Sequence, residues 1–371
     1  MAQDERRRQG EGGTGTLLGL LALVLTFLSL GWGWTAAPAL AALPPGNAVT
    51  DPSALLRDAL PVDQPQLKEL QHRLENTSND LRAKRWGALA NTVRRTQSLA
   101  TGQRAGILAS FPEANRPEAE ALFDQLDQQL QSLADASEAE NREGFLNARR
   151  QALGAIGSTE SLLVGPFPFT IPEAFTDLPR LLGRATVRLT TTKGDLTAVV
   201  DGYSAPLTAG AFVDLVQRGF YDGLPFNRAE DFYVLQTGDP AGPADGFIDP
   251  VSKQQRRVPL EIKVPGEASP FYNQTFEELG LFKANPTLPF ATKGTLGWAH
   301  SDAALDDGSS QFFLFLFEAE LTPAGLNLID GRYAAFGYVV DGFDVLAELT
   351  ADDGIVSAKV LEGADNLRAH G

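Results

Sequence analysis

The 371-residue chain has few side chains suited to covalent or metal chemistry. It contains no cysteine and three histidines, His72, His300 and His370. A disulfide framework is thereby excluded, and a histidine-rich zinc site has too few ligands. Asp302, Asp306 and Asp307 lie close together, but their spacing fits no known calcium loop. What remains is hydrogen-bonding and apolar chemistry in the C-terminal half. Arg228 and Gln236 flank Phe232-Tyr233-Val234-Leu235, and a second aromatic run holds Phe312, Phe313, Phe315 and Phe317. Taken singly, an arginine in a strand is a solvated charge and a phenylalanine-rich strand is core. The formal net charge of −16 argues against a nucleic acid partner, because without a basic patch there is no counterion release to drive binding. A neutral or basic polypeptide suits such a surface better.

The elements that must position these residues fall into two blocks. From Asp51 to Leu163 the chain is rich in Leu, Ala, Gln, Glu and Arg and poor in β-branched residues, the composition of helices. Pro65 opens a helix in which Leu67, Leu70, Leu74, Leu81 and Ala88 fall on one face, and the stripe predicts that it continues to about Leu99. After a break at Pro112 and Pro117, a second stripe runs through Leu122, Leu126, Leu130 and Leu133, and a third through Phe145, Leu146, Leu153 and Ile156. Amphipathic helices with short connections pack as a bundle. Residues 164–183, with four prolines, read as an extended linker.

From residue 184 the period changes to two. Val187 and Leu189 lead through Lys193-Gly194-Asp195 into a returning strand, Leu196 to Val200. A helix follows from Pro206, then further strands that include Gln311 to Phe317, Ala335 to Val340 and Ile355 to Leu361, with a short helix at Asp344 to Leu349. Many strands with two helices predict a closed antiparallel β-barrel with capping helices, residues 184–371, behind an all-α bundle, residues 51–163.

The first 41 residues carry Arg6, Arg7 and Arg8, an apolar run from Leu17 to Leu30 and the small-residue segment Ala36-Ala37-Pro38-Ala39-Leu40-Ala41. This is the layout of a signal peptide cleaved after Ala41, and the chain reads as exported. The alternative, a membrane anchor, is disfavoured because the 14-residue run falls short of the roughly 20 residues that span a bilayer.

Several ordered motifs in the second block resemble one family. Phe226-Asn227-Arg228 followed by Phe232-Tyr233-Val234-Leu235-Gln236-Thr237-Gly238-Asp239 resembles the central signature of the cyclophilins. Gly294-Thr295-Leu296-Gly297-Trp298-Ala299, then Gly308-Ser309-Ser310-Gln311-Phe312-Phe313, resembles their pocket wall, and Phe336-Gly337 the strand that follows. Together with the export signal and the acidic bundle, the chain resembles the thylakoid-lumen cyclophilins of cyanobacteria and plants. In an organism without thylakoids the periplasm takes the lumen's place.

The resemblance implies a peptidyl-prolyl cis/trans isomerase. The barrier to rotation about a peptide bond is about 18–20 kcal/mol, and lowering it requires neither nucleophile, metal nor cofactor. An apolar pocket holds the proline ring, and a donor stabilises the twisted amide. By resemblance Arg228 is that donor, and Gln236 orients both the substrate backbone and the arginine. Phe313, Tyr233 and Val234 form the proline pocket; Gln311, Ala299 and His300 line the adjoining groove. Leu328 and Tyr333 stand where active members carry a Trp and a His, and Val234 and Tyr233 where Met and Phe are common. These departures leave two readings open, an isomerase and a cyclophilin-fold chaperone or scaffold that binds proline segments with little turnover. The partners implied are proline-containing segments, including lumenal loops of photosystem II subunits, with a role in assembling and maintaining that complex. The family also implies intramolecular packing of the bundle against the barrel.

Overall fold

The computed structural model describes residues 49–230, 232–282, 284–317 and 329–369, all within one compact unit, Gly46–Gly371. The proposed signal peptide and Leu328 lie outside the described residues. No helix among those described is long and apolar enough to cross a membrane.

The N-terminal block is helical. Helix α1 (Pro52–Asp58) starts where Asp51 accepts from the backbone N–H groups of Ser53 and Ala54, with Pro52 in the first turn. The single helix expected from Pro65 to Leu99 is instead three: α2 (Pro65–Glu75), α3 (Ser78–Arg82) and α4 (Trp86–Ala109). Leu67, Leu70, Leu74 and Leu81 of its stripe are buried, and Leu89 takes the place expected for Ala88, across two chain turns. One follows α2, where the Thr77 hydroxyl donates back to the Leu74 carbonyl at 2.6 Å; the other is at Lys84, in the left-handed region with φ 54°. Helices α5 (Arg116–Glu138) and α6 (Arg142–Leu163) complete the bundle. Leu67, Leu70, Leu74, Leu89, Val93, Phe123, Leu126, Leu130, Phe145 and Ile156 meet in its core.

The C-terminal block is a curled eight-stranded antiparallel sheet with order β11-β2-β3-β10-β8-β9-β5-β4. Its strands are β2 (Arg184–Thr191), β3 (Gly194–Asp201), β4 (Arg228–Glu230), β5 (Val234–Thr237), β8 (Thr295–Trp298), β9 (Phe312–Phe315), β10 (Ala334–Asp341) and β11 (Ile355–Glu362). Helices α7 (Pro206–Gln217) and α8 (Phe343–Glu348) accompany it. The closed barrel expected from the sequence is met in a coarser form, since no ladder among the described residues joins edge strand β4 to edge strand β11. Before β4 the chain touches the start of β11 through a bridge, Pro225–Gly354, with bonds from Gly223, Phe226 and Ile355 N–H groups. Pro225 has no N–H to extend this into a ladder.

The segment 164–183 packs against the sheet domain. Phe167 lies on Phe169 at 4.6 Å, Ile171 is buried, and β1 (Arg180–Leu181) pairs with β12 (Leu367–Arg368) near the C-terminus. The long insertion between β5 and β8 carries a small hairpin, β6 (Glu261–Ile262) with β7 (Phe271–Tyr272). Phe276 on this insertion is buried and meets the place where a side chain at Gly331 would start.

The two blocks touch through α1. Leu55, Leu56 and Ala59 share one apolar cluster with Tyr338, Phe290, Phe313, Phe315 and Val234 of the sheet domain. Arg184 donates to the Leu56 carbonyl while its Nε holds Asp201 at 2.9 Å.

Candidate functional site

Strand register assembles the site. Side chains directly opposite one another in an antiparallel pair project from the same face. Arg228 on β4 faces Gln236 on β5, Gln236 faces Phe313 on β9, and Phe313 faces Gly297 on β8. The row therefore carries a cation, an amide and an aromatic ring on the outer face of the sheet, while Leu235, Phe312 and Leu314 point into the core. Gly297 leaves room for the ring: a Cβ there would sit 2.2 Å from Cζ of Phe313. A neighbouring row brings Glu230 opposite Val234, and Val234 opposite Phe315.

Aromatic contacts hold together the residues expected to form the proline pocket, though none of Phe313, Tyr233, Val234 and Tyr333 lines the cavity described below. Phe313 meets Tyr333 edge-on at 5.7 Å, Tyr333 stacks on His300 at 4.6 Å, and Tyr233 meets Phe315 edge-on at 5.8 Å. Val234 is buried. Phe290, which the sequence reading did not single out, lies parallel to Phe313 at 5.7 Å. Its backbone N–H donates to Asp330 at 2.8 Å, and the preceding carbonyl, of Pro289, accepts from the Tyr338 hydroxyl at 2.9 Å. Burial lifts the Asp330 carboxyl to about 6, although the Phe290 N–H opposes the shift. The only sequence signal for Phe290 is an apolar residue just ahead of the Gly294 turn.

The polar side of the site is a chain of amides. Gln236 Nε2 donates to Gln311 Oε1 at 2.7 Å, Asn227 donates to the same oxygen at 3.2 Å, and Gln311 Nε2 donates to Asp245 at 2.6 Å. Among the described residues, no hydrogen bond joins Gln236 to Arg228; the guanidinium Nε donates to Glu230 at 2.9 Å, and Nη2 donates to the same oxygen. Gln236, Ala299, His300 and Gln311 line a cavity of about 420 Å³ together with Asp245, Gln255, Arg257 and Asp307, four residues the sequence reading had not assigned. Burial pushes the Asp307 carboxyl up, but bonds from the Ser301 hydroxyl and backbone, with His300 and Arg257 near, hold it below its ordinary value.

Electrostatics ties Arg228 to both tyrosines. Burial raises the Tyr233 and Tyr333 phenols, with Tyr333 and Glu230 adding at the first and Asp302 at the second, and Arg228 opposes the shift at each. A half-exposed guanidinium keeps donors that can reach a carbonyl or amide of a bound chain. No group of three or more potential metal ligands occurs among the described residues.

Comparison with known proteins identifies the two blocks. Residues 186–364 match the cyclophilin type peptidyl-prolyl cis-trans isomerase/CLD family, and residues 51–164 match the PsbQ-like domain of CYP38-like peptidyl-prolyl cis-trans isomerases. A protein of Synechocystis, named as a thylakoid lumen peptidyl-prolyl cis-trans isomerase, is 52% identical over 360 residues, covering 95% of each chain. The chloroplastic isomerase CYP38 of Arabidopsis thaliana is 41% identical, over 89% of this chain and 78% of its own. The chloroplastic isomerase CYP37 of the same plant is 29% identical, over 98% of this chain and 83% of its own. With a helical PsbQ-like domain ahead of a cyclophilin domain, the chain belongs to the cyclophilin-type peptidyl-prolyl cis-trans isomerases of the thylakoid lumen.

Proposed function

We propose that the chain isomerises X-Pro bonds in exported proteins and in lumenal loops of membrane proteins, and that it serves the assembly and maintenance of photosystem II. The observation that carries the catalytic part is the row Arg228, Gln236, Phe313 on one face of the sheet. In this reading the proline ring rests among Phe313, Val234, Tyr233 and Tyr333, with Leu328 added by resemblance. Ala299, His300 and Gln311 border the flanking residues, and Gln236 holds the substrate backbone. As the bond twists, its nitrogen loses conjugation and becomes an acceptor, and a guanidinium donor stabilises it there more than in the ground state. Resemblance to lumenal cyclophilins supports the photosystem II role. The same reading takes the curled sheet as a barrel closed through the Pro225–Gly354 bridge.

The test is magnetisation-exchange NMR on an X-Pro peptide with the mature chain and its Arg228→Ala variant. Turnover that falls by about a hundredfold in the variant, the usual scale for removing one transition-state donor, is the expected result. Equal turnover in the two proteins would remove Arg228 from the mechanism.

A second reading, a binding factor with little turnover, is favoured by one feature: Phe313 is 5% exposed beneath Phe290. It predicts stoichiometric peptide binding that survives Arg228→Ala.

A further inference from the structure

Strand β4 is three residues long, and its first and last members, Arg228 and Glu230, are two apart. Residues two apart in a strand project from the same face, so the carboxylate stands beside the guanidinium by construction. Nε and Nη2 of Arg228 both donate to Oε1 of Glu230. Among the described residues these are the guanidinium's hydrogen bonds. Of the cross-strand neighbours, Val234 is apolar, and Gln236, whose amide N–H goes to Gln311, makes no hydrogen bond with Arg228 among the described residues. Both side chains are about half exposed, at 54% and 48%, so the pair is held weakly and a stronger partner can displace either member.

A donor already engaged by a carboxylate is less available to an amide nitrogen. Freeing the donor leaves Glu230 without its cation. A substrate that brings its own cation removes that penalty, and one that brings a carboxylate increases it.

We infer that Glu230 is a positioning residue for the isomerase site, a latch that occupies Arg228 in the resting protein and yields it to proline segments carrying a lysine or arginine beside the X-Pro bond. The inference rests on the reading of Arg228 as the transition-state donor, and it adds a regulator of that donor and a substrate preference. The acceptor that releases Arg228 is the same carboxylate that then pairs with the substrate cation, so one residue sets both rate and selectivity.

Two X-Pro peptides differing only in Lys or Gln at the residue before X are assayed with the mature wild-type chain, Glu230→Gln and Arg228→Ala. In Glu230→Gln, kcat for the Gln peptide rises about two- to fivefold, the range for losing an exposed ion pair, with KM nearly unchanged. About 0.5 M salt, which screens exposed charges, raises the wild-type rate toward the variant's and leaves the variant unaffected. The Lys peptide is preferred by the wild type and not by Glu230→Gln. A merely structural role for Glu230 would move none of these readouts selectively.

Equal kcat in wild type and Glu230→Gln, or the same salt response in both, overturns the latch while leaving Arg228 in place. Undiminished turnover in Arg228→Ala instead overturns the underlying reading, and the latch with it. If no protein turns over, the Nε–H resonance of Arg228 decides between them. A shift on Glu230→Gln and on adding the Lys peptide supports the latch, and an unmoved resonance overturns it.

Discussion

The ring of Phe313 on β9 lies over Gly297 on the adjacent β8, so closely that a Cβ at 297 would approach Cζ to 2.2 Å. Glycine here is a packing requirement of the pocket floor. Gly297→Ala is expected to cost about 1–3 kcal/mol of stability, the usual result of overfilling a packed site, and to weaken binding of an X-Pro peptide by displacing Phe313. Urea unfolding and peptide titration measure the two effects. An alanine variant with native stability and affinity would show that the ring yields freely.

Phe290 should behave differently. Its ring lies 11° from parallel with Phe313 and is almost wholly buried. Phe290→Ala is expected to destabilise the fold by about 3–5 kcal/mol and at the same time to strengthen peptide binding, because it uncovers Phe313. The opposite signs distinguish a cover from a wall. Loss of binding in this variant, at a temperature where it remains folded, would assign Phe290 to the substrate surface itself.

The contact between the blocks is an apolar cluster crossed by a hydrogen bond. Leu55 and Leu56 are buried against the sheet domain, and Arg184 holds the Leu56 carbonyl. Leu56→Ala is expected to cost about 2–5 kcal/mol, and calorimetry should then show the single transition splitting into two as the bundle and the sheet domain uncouple. One sharp transition shifted to lower temperature would mean that other contacts carry the coupling.

Glu261 supplies a pH signature. It reaches from the inserted hairpin to the start of α7, accepting from the N–H groups of Leu207 and Thr208 at 3.0 and 3.1 Å and from the Thr208 hydroxyl. Burial raises its carboxyl from 4.5 to about 7, although the bonds from Thr208 and Leu207 oppose the shift. The unfolded chain releases this proton near 4.5 and the folded one near 7, so between those values the folded state binds more protons and stability falls as pH rises. Acidifying from pH 8 to 5.5 is therefore expected to stabilise the wild type by up to about 2 kcal/mol relative to Glu261→Gln, at about 1.4 kcal/mol per pH unit below 7. Parallel stability curves for the two proteins would refute this.

Much of the domain plan is legible in the chain. Leucines at helical spacing identify the bundle because a helix repeats every 3.6 residues, and the pairs Leu235/Gln236 and Phe312/Phe313 divide between core and outer face because a strand repeats every two. Ordered motifs single out Arg228, Gln236 and Phe313, each of which has a bland reading alone, and the strand register sets the three in one row. The break at Lys84 was not legible, since apolar residues continue on both sides of it; beyond the turn the core face is carried by Leu89 and Val93 in place of Ala88.

Sequence by itself thus determined which residues are apolar, on which period, and in which order the motifs of a proline site occur. Tertiary structure alone decided that the outer face bearing Phe313 and Phe315 is covered, by Phe290 from the insertion and by a cluster continuous with α1. It also decided that Gln236 is paired with Gln311, 75 residues further along the chain. The reason is that local pattern fixes which way a side chain points, whereas what meets it there comes from segments tens or hundreds of residues away, whose approach depends on the packing of the whole chain.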